Sequence, residues 1–148
     1  MNLLIVNGYD KNGWGKLAKY KLQPICEFYR DQLKSINPNI KTTFIYPSMD
    51  LNKIYEENFI KSFRGVVWTG SSLNIYDNTR EIKNQISLMK KMSELKINMF
   101  GSCWGMQLYT VTNSGAVKKN PKGREIGIAS VSYTHLRAHE TEAELVCR

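Results

Sequence analysis

Histidine is missing from the first 130 residues of this 148-residue chain; both copies, His135 and His139, fall near its C-terminal end. Residues 1–130 alone therefore hold no side chain whose ordinary pKa lies near neutrality. Cysteine is almost as scarce. Cys26, Cys103 and Cys147 lie far apart, without the paired spacing of a zinc site or a disulfide framework. No metal and no cofactor are expected, and a reducing cytoplasm is the expected compartment. No apolar run approaches the roughly 20 residues that cross a bilayer, so no membrane association is expected. Met1 leads straight into Leu3-Leu4-Ile5-Val6 without a basic start or a small-residue cleavage site, which argues against a secretory signal. Internal repeats and low-complexity linkers are also lacking.

Acidic residues are in deficit, with 13 Asp and Glu against 21 Lys and Arg, for a net charge of +8. Such an excess first suggests nucleic acid. The lysines are scattered, however, with only the short pairs Lys90-Lys91 and Lys118-Lys119, and no aromatic residues interleave with them as a base-stacking platform requires. The expectation is a solvated basic surface and no nucleic-acid partner. A hydrophobic content of 42% and a charged content of 23% are those of an ordinary soluble domain. The length suits one domain with a real core, not two.

The pattern breaks at Val131-Ser-Tyr-Thr-His-Leu-Arg-Ala-His-Glu-Thr141. This string resembles an in-frame translation of a sequencing-library adapter, and Leu145-Val-Cys-Arg148 fits its continuation, although Glu144 does not. The alternative is a natural, variable C-terminus. Residues 1–130 are read as the domain and 131–148 as a non-native tail. The tail carries Arg137, Arg148, Glu140, Glu142 and Glu144, so leaving it out raises the net charge by one.

Within residues 1–130 strands alternate with helices. Leu3–Val6 is a continuous apolar run closed by Asn7-Gly8, the mark of a strand buried on both faces. Near-helical spacing of Leu17, Tyr20, Leu22, Ile25, Phe28, Tyr29, Leu33 and Ile36 predicts a helix that starts near Pro24, where a first-turn proline is tolerated; Cys26 sits on it as a buried structural thiol. Thr42–Tyr46 is the second strand, and Leu51 to Phe63 carries another helical stripe. Gly65–Thr69 is the third strand, stopping at Gly70-Ser71-Ser72. A helix over Thr79 to Leu95 precedes a fourth strand, Ile97–Phe100. The expected fold is α/β, flavodoxin-like and doubly wound, a mainly parallel sheet with helices on both faces that is incomplete at the C-terminus. Ligands bind beyond the carboxyl ends of such strands, which directs attention to the glycine loops after the third and fourth.

Gly101-Ser102-Cys103-Trp104-Gly105 has the G-x-nucleophile-x-G form of a nucleophile elbow. A sharp strand-to-helix turn holds the nucleophile in a strained conformation, and flanking glycines let neighbouring backbone pass. The helix N-terminus favours thiolate over thiol, and the N–H of Trp104 is placed to meet a developing oxyanion. In a purely structural setting the same spacing would serve close helix–strand packing around a small buried thiol. The preceding strand, the following helix and the second glycine loop at Gly70 favour the catalytic reading.

Gly101-Ser-Cys-Trp-Gly-Met-Gln107 resembles the G-x-C-x-G-x-Q motif of class I glutamine amidotransferases. Gly65-Val-Val-Trp-Thr-Gly-Ser71, with Tyr76-Asp77, resembles the family's oxyanion loop, although Gly70-Ser71 stands where many relatives carry Gly-Gly. Gly115-Ala-Val117 and Arg124-Glu-Ile-Gly127 resemble the stretch that helps to hold glutamine. The resemblance implies Cys103 as nucleophile, backbone N–H groups of Trp104, Gly70 and Ser71 as the oxyanion hole, and Gly105, Met106, Gln107 and Glu125 as substrate-binding positions. It also implies a catalytic histidine and carboxylate beyond the elbow, in sequence this chain lacks; His139-Glu140 does not replace them, since Thr141 stands where the His-x-Glu pattern needs glutamate. The implied activity is release of ammonia from glutamine through a Cys103 thioester, with a synthetase domain or subunit accepting the ammonia and this fragment inactive. Two rivals remain: a γ-glutamyl peptidase or hydrolase using the same cysteine, and a non-catalytic flavodoxin-like binding module.

Overall fold

A computed structural model describes residues 1–121 and 123. The chain divides into two compact units, Met1–Val117 and Lys118–Arg148. The fold is that of the first, and the boundary expected at residue 130 lies outside the described residues.

Four strands form one sheet: β1 (Asn2–Val6), β2 (Lys41–Ile45), β3 (Gly65–Trp68) and β4 (Met99–Gly101). Their order is β2-β1-β3-β4, and every pair is parallel. The chain moves outward from β1 to β2 and then returns to the other side of β1 for β3. The neighbouring strands β1 and β3 thus mark the point where the winding reverses, and their carboxyl ends open the crevice in which doubly wound sheets bind ligands.

The helices follow from local chemistry. Asp10 caps α1 (Lys11–Lys19) by accepting the Gly13 N–H at 2.8 Å. α2 (Ile25–Ile36) begins directly after Pro24, whose φ of −54° suits a helix entry. α3 (Glu57–Lys61) is short, a 3-10 turn spans Ile75–Asp77, and α4 (Arg80–Glu94) and α5 (Trp104–Thr112) complete the set.

Alternate strand residues feed two separate cores, as the period of a pleated strand requires. Leu4, Val6, Val66 and Trp68 face one side of the sheet and pack with Ile82, Met89 and Met92 of α4 and with Trp104 and Leu108 of α5. Ile5 and Val67 face the other side with Cys26, joined by Ile25, Tyr29 and Leu33 of α2. Full burial of Leu4, Ile5 and Val6 explains the unbroken apolar run in β1. On the α2 side a groove of about 640 Å³ runs over β3 and β4, with Phe28, Leu33, Met99 and Phe100 among its walls.

Two expectations need correction. The helical stripe over Leu51–Phe63 condenses to the five residues of α3. Residues 50–53 form a turn closed by the Lys53 N–H on the Asp50 carbonyl at 2.9 Å, and Ile54 is 77% exposed while Tyr55 and Ile60 are buried. The fourth strand is Met99–Gly101, shifted toward the elbow. No helix among the described residues is long and apolar enough to cross a membrane.

Candidate active site

Cys103 follows β4 and caps the start of α5 with φ 50° and ψ −93°. Left-handed φ combined with strongly negative ψ resembles the rare γ-turn of positive φ, a conformation that costs on the order of 1–3 kcal/mol in a residue with a side chain. The strain has a visible geometric result. The Cys103 side chain stands exposed, while the next residue, Trp104, is driven into the core at 1% exposure. The Gly105 N–H closes the turn on the Ser102 carbonyl at 3.1 Å, and the Ser102 N–H ties β4 to the Trp68 carbonyl at 3.3 Å.

Gly105 is a packing residue. A Cβ there would lie 2.6 Å from the Cβ of Trp68, a distance real side chains do not tolerate, so α5 can approach β3 only through glycine. The substrate-binding role implied by resemblance and the plain packing role therefore fall on one residue. Met106 is partly exposed and Gln107 is half-buried, with its N–H on the Cys103 carbonyl at 3.1 Å. Glu125 and the Arg124–Gly127 stretch lie outside the described residues.

The loops beyond β1 and β3 meet the elbow at Gly8. A Cβ on Gly8 would fall 2.6 Å from the Gly70 carbonyl oxygen and 2.7 Å from Cδ1 of Trp104, so Gly70 and Trp104 both crowd this one residue. The Gly8 N–H donates to Thr69 Oγ1 at 2.9 Å. The Gly8 carbonyl accepts from Ser71 Oγ at 2.8 Å and from Gln85 Nε2 at 3.1 Å. Ser71 thus takes part through its hydroxyl, which also accepts the Leu73 N–H at 3.1 Å. Among the described residues, the N–H groups of Gly70 and Ser71 take no part in these bonds. The N–H of Trp104 belongs to the first turn of α5, where an α-helix leaves four amides without an internal acceptor.

Gln85, Gly8 and Tyr9 were not singled out in the sequence. Gln85 is wholly buried and accepts the indole N–H of Trp104 at 2.8 Å. Its signal was a polar residue on the apolar stripe of α4, in phase with Ile82, Met89 and Met92. Tyr9 follows Gly8 directly; burial, then the negative charges of Cys103 and Tyr29, raise its phenol above the ordinary value. That coupling places Tyr9 in the electrostatic reach of the elbow thiol. Cys26 behaves otherwise: burial and the Glu27 carboxylate push its thiol from 9.0 up to about 12. Among the described residues no cluster of His, Cys, Asp and Glu could hold a metal ion.

Converged loops, an outward thiol at a helix N-terminus and nearby backbone donors are equipment for attack on a carbonyl carbon. No family model matches the chain, and no solved structure does. Gamma-glutamyl-L-1-hydroxyisopropylamide hydrolase of Pseudomonas sp is 27% identical over 117 residues, covering 79% of this chain and 39% of that protein. Gamma-glutamyl peptidase 4 of Arabidopsis thaliana is 27% identical over 77 residues, covering 52% of this chain and 31% of that protein. The chain therefore spans well under half the length of either relative. Its distant homologues are γ-glutamyl hydrolases and peptidases, enzymes of the glutamine-amidotransferase-like kind that its elbow resembles.

Proposed function

We propose that Cys103 is the nucleophile of an enzyme that cleaves a γ-glutamyl amide through a γ-glutamyl thioester. The observation that carries this is the strained, exposed Cys103 at the start of α5, beyond the carboxyl end of β4, with the next residue, Trp104, against the Gly8–Gly70 crossing. The sulfur attacks the side-chain amide carbon of a γ-glutamyl group, and the tetrahedral oxyanion is met by the N–H of Trp104 and the Gly70-Ser71 loop. Collapse breaks the C–N bond and releases an amine, and water then hydrolyses the thioester. The positive end of the α5 dipole supports the anionic sulfur and the oxyanion alike.

Two leaving groups suit this geometry. Ammonia makes the enzyme a glutamine amidotransferase, with an acceptor synthetase domain or subunit. A larger amine makes it a γ-glutamyl hydrolase or peptidase, which the names of both distant relatives favour. Either way the departing amine must be protonated. The described residues contain no imidazole, so an imidazole that protonates it must come from outside them.

Covalent labelling tests the assignment without requiring turnover. A glutamine-mimicking diazo ketone is expected to modify Cys103 and spare Cys26, as read by peptide mass spectrometry. Protection by a γ-glutamyl amine at lower concentration than by glutamine would select hydrolysis over ammonia transfer. If Cys103 reacted with the diazo ketone no faster than a simple thiol in solution, the nucleophile assignment would be lost and the binding-module reading would take its place.

A further inference from the structure

Gln85 directs both amide hydrogens and its carbonyl oxygen to the floor of the site. Its Oε1 accepts the Trp104 indole N–H at 2.8 Å. Its Nε2 donates to the Gly8 carbonyl at 3.1 Å and to Ser48 Oγ. The sense of the amide is fixed twice over, because an indole N–H can only donate and a backbone carbonyl can only accept. A flipped amide would oppose like groups at both contacts. Few side chains could satisfy these demands at once, and the placement is costly to maintain. Gln85 is completely buried on a helix face otherwise occupied by Ile82, Leu88, Met89 and Met92. A buried amide is unfavourable there unless every polar atom is met, whereas an unbranched apolar residue would fill the same space without that demand.

We infer that Gln85 is a positioning residue, which sets the oxyanion-binding N–H of Trp104 by gripping that residue's indole ring. Trp104 is the first residue of α5 and directly follows Cys103, so a fixed ring fixes the adjoining peptide plane. The same amide holds the Gly8 carbonyl, around which the Gly70-Ser71 loop is folded. One side chain from α4 therefore keeps both halves of the oxyanion site in register. The inference rests on the nucleophilic role of Cys103 proposed above.

Two electrophiles separate donor positioning from thiol reactivity. With p-nitrophenyl acetate the Cys103 sulfur attacks the ester carbonyl carbon and an oxyanion forms. The C–O bond then breaks, p-nitrophenolate leaves, and an acetyl thioester remains. With iodoacetamide the sulfur displaces iodide from a saturated carbon and no oxyanion arises. Rates at Cys103 are read by peptide mass spectrometry for the full chain, for Gln85→Met and for Trp104→Phe, which removes the same hydrogen bond from the other end. Displacing a catalytic group by a fraction of an ångström to 1 Å costs up to about 10²-fold, so the ratio of acylation to alkylation is expected to fall about tenfold in each variant. The double variant is expected to fall no further than Gln85→Met alone, because the bond that Trp104→Phe removes is already gone in Gln85→Met.

A ratio preserved in folded Gln85→Met and Trp104→Phe would overturn the inference. So would loss of the folded state in both, which would assign the bond to stability alone. If the unaltered chain already gave the ratio of a simple thiol in solution, the nucleophile reading itself would fail. That result is distinct, because it appears before any substitution at Gln85 is made.

Discussion

The crossing of loops at Gly8 makes a quantitative demand on one hydrogen atom. In Gly8→Ala the new methyl carbon meets the Gly70 carbonyl oxygen at 2.6 Å and Trp104 Cδ1 at 2.7 Å. Neither neighbour is the loose end of a flexible side chain: one is backbone and the other is a ring held at 1% exposure. Relief requires the β1 loop to move away from the β3 loop by several tenths of an ångström. Overpacking of this kind costs about 1–3 kcal/mol. The same movement stretches the Ser71 and Gln85 bonds to the Gly8 carbonyl and the Gly8 bond to Thr69, and losing one such buried bond adds about 1 kcal/mol. The expected loss is about 2–4 kcal/mol. At a urea dependence of about 2 kcal/mol per M, ordinary for a small domain, the unfolding midpoint should fall by roughly 1–2 M. Gly15→Ala is the matched control. A Cβ there has open space within α1, and alanine in an exposed helix interior gains about 0.5–1 kcal/mol. Equal midpoints for Gly8→Ala and the unaltered chain would refute the crossing as described.

The remaining predictions concern the two ionisable regions around the sheet. Because burial holds the Cys26 thiol at about 12 against an ordinary 9.0, the folded protein keeps a proton that the unfolded chain releases. Its contribution to stability is whole below about pH 9 and is lost as the pH rises toward 12, at about 1.4 kcal/mol per pH unit. Urea midpoints measured at pH 8 and pH 10.5 should fall less in Cys26→Ala than in the unaltered chain; equal falls would remove Cys26 as the cause. Deleting residues 131–148, and with them both histidines, should leave the rate of Cys103 alkylation by iodoacetamide unchanged. General acid–base help is worth about 10²–10⁴-fold, so a decrease of that order would put His135 or His139 to work at the thiol.

The sheet was legible because its strands are short apolar runs ended by glycine, asparagine or proline, although the fourth starts two residues later than its run suggests. The elbow was legible because G-x-C-x-G couples a strand end to a helix start within five residues. A helix with two glycines was harder. α1 carries Gly13 and Gly15 and few apolar residues, and the helical spacing read from the sequence begins only at Leu17. The stripe from Leu51 to Phe63 misled because Tyr55 is buried from the irregular stretch before α3 and Ile60 from α3 itself, at a spacing that imitates one longer helix. The polar connections were beyond sequence. Nothing local joins Gly8 to Ser71, or Gln85 to Trp104; these contacts exist only once three loops and α4 converge. The pairing of each residue is decided by tertiary geometry, and single-chain patterning carries no record of it.

The strand order also sets a schedule for synthesis. β1 is made first, yet it is flanked on both edges in the finished sheet, by β2 at Lys41–Ile45 and by β3 at Gly65–Trp68. Its apolar run has no lasting shelter until the chain has grown past Trp68. At translation rates of about 5–20 residues per second, that interval lasts roughly 3–12 s. During it Leu4-Ile5-Val6, a run wholly buried in the finished fold, has both strand edges open. Both edges of β1 are thus paired well before the elbow cysteine has been added.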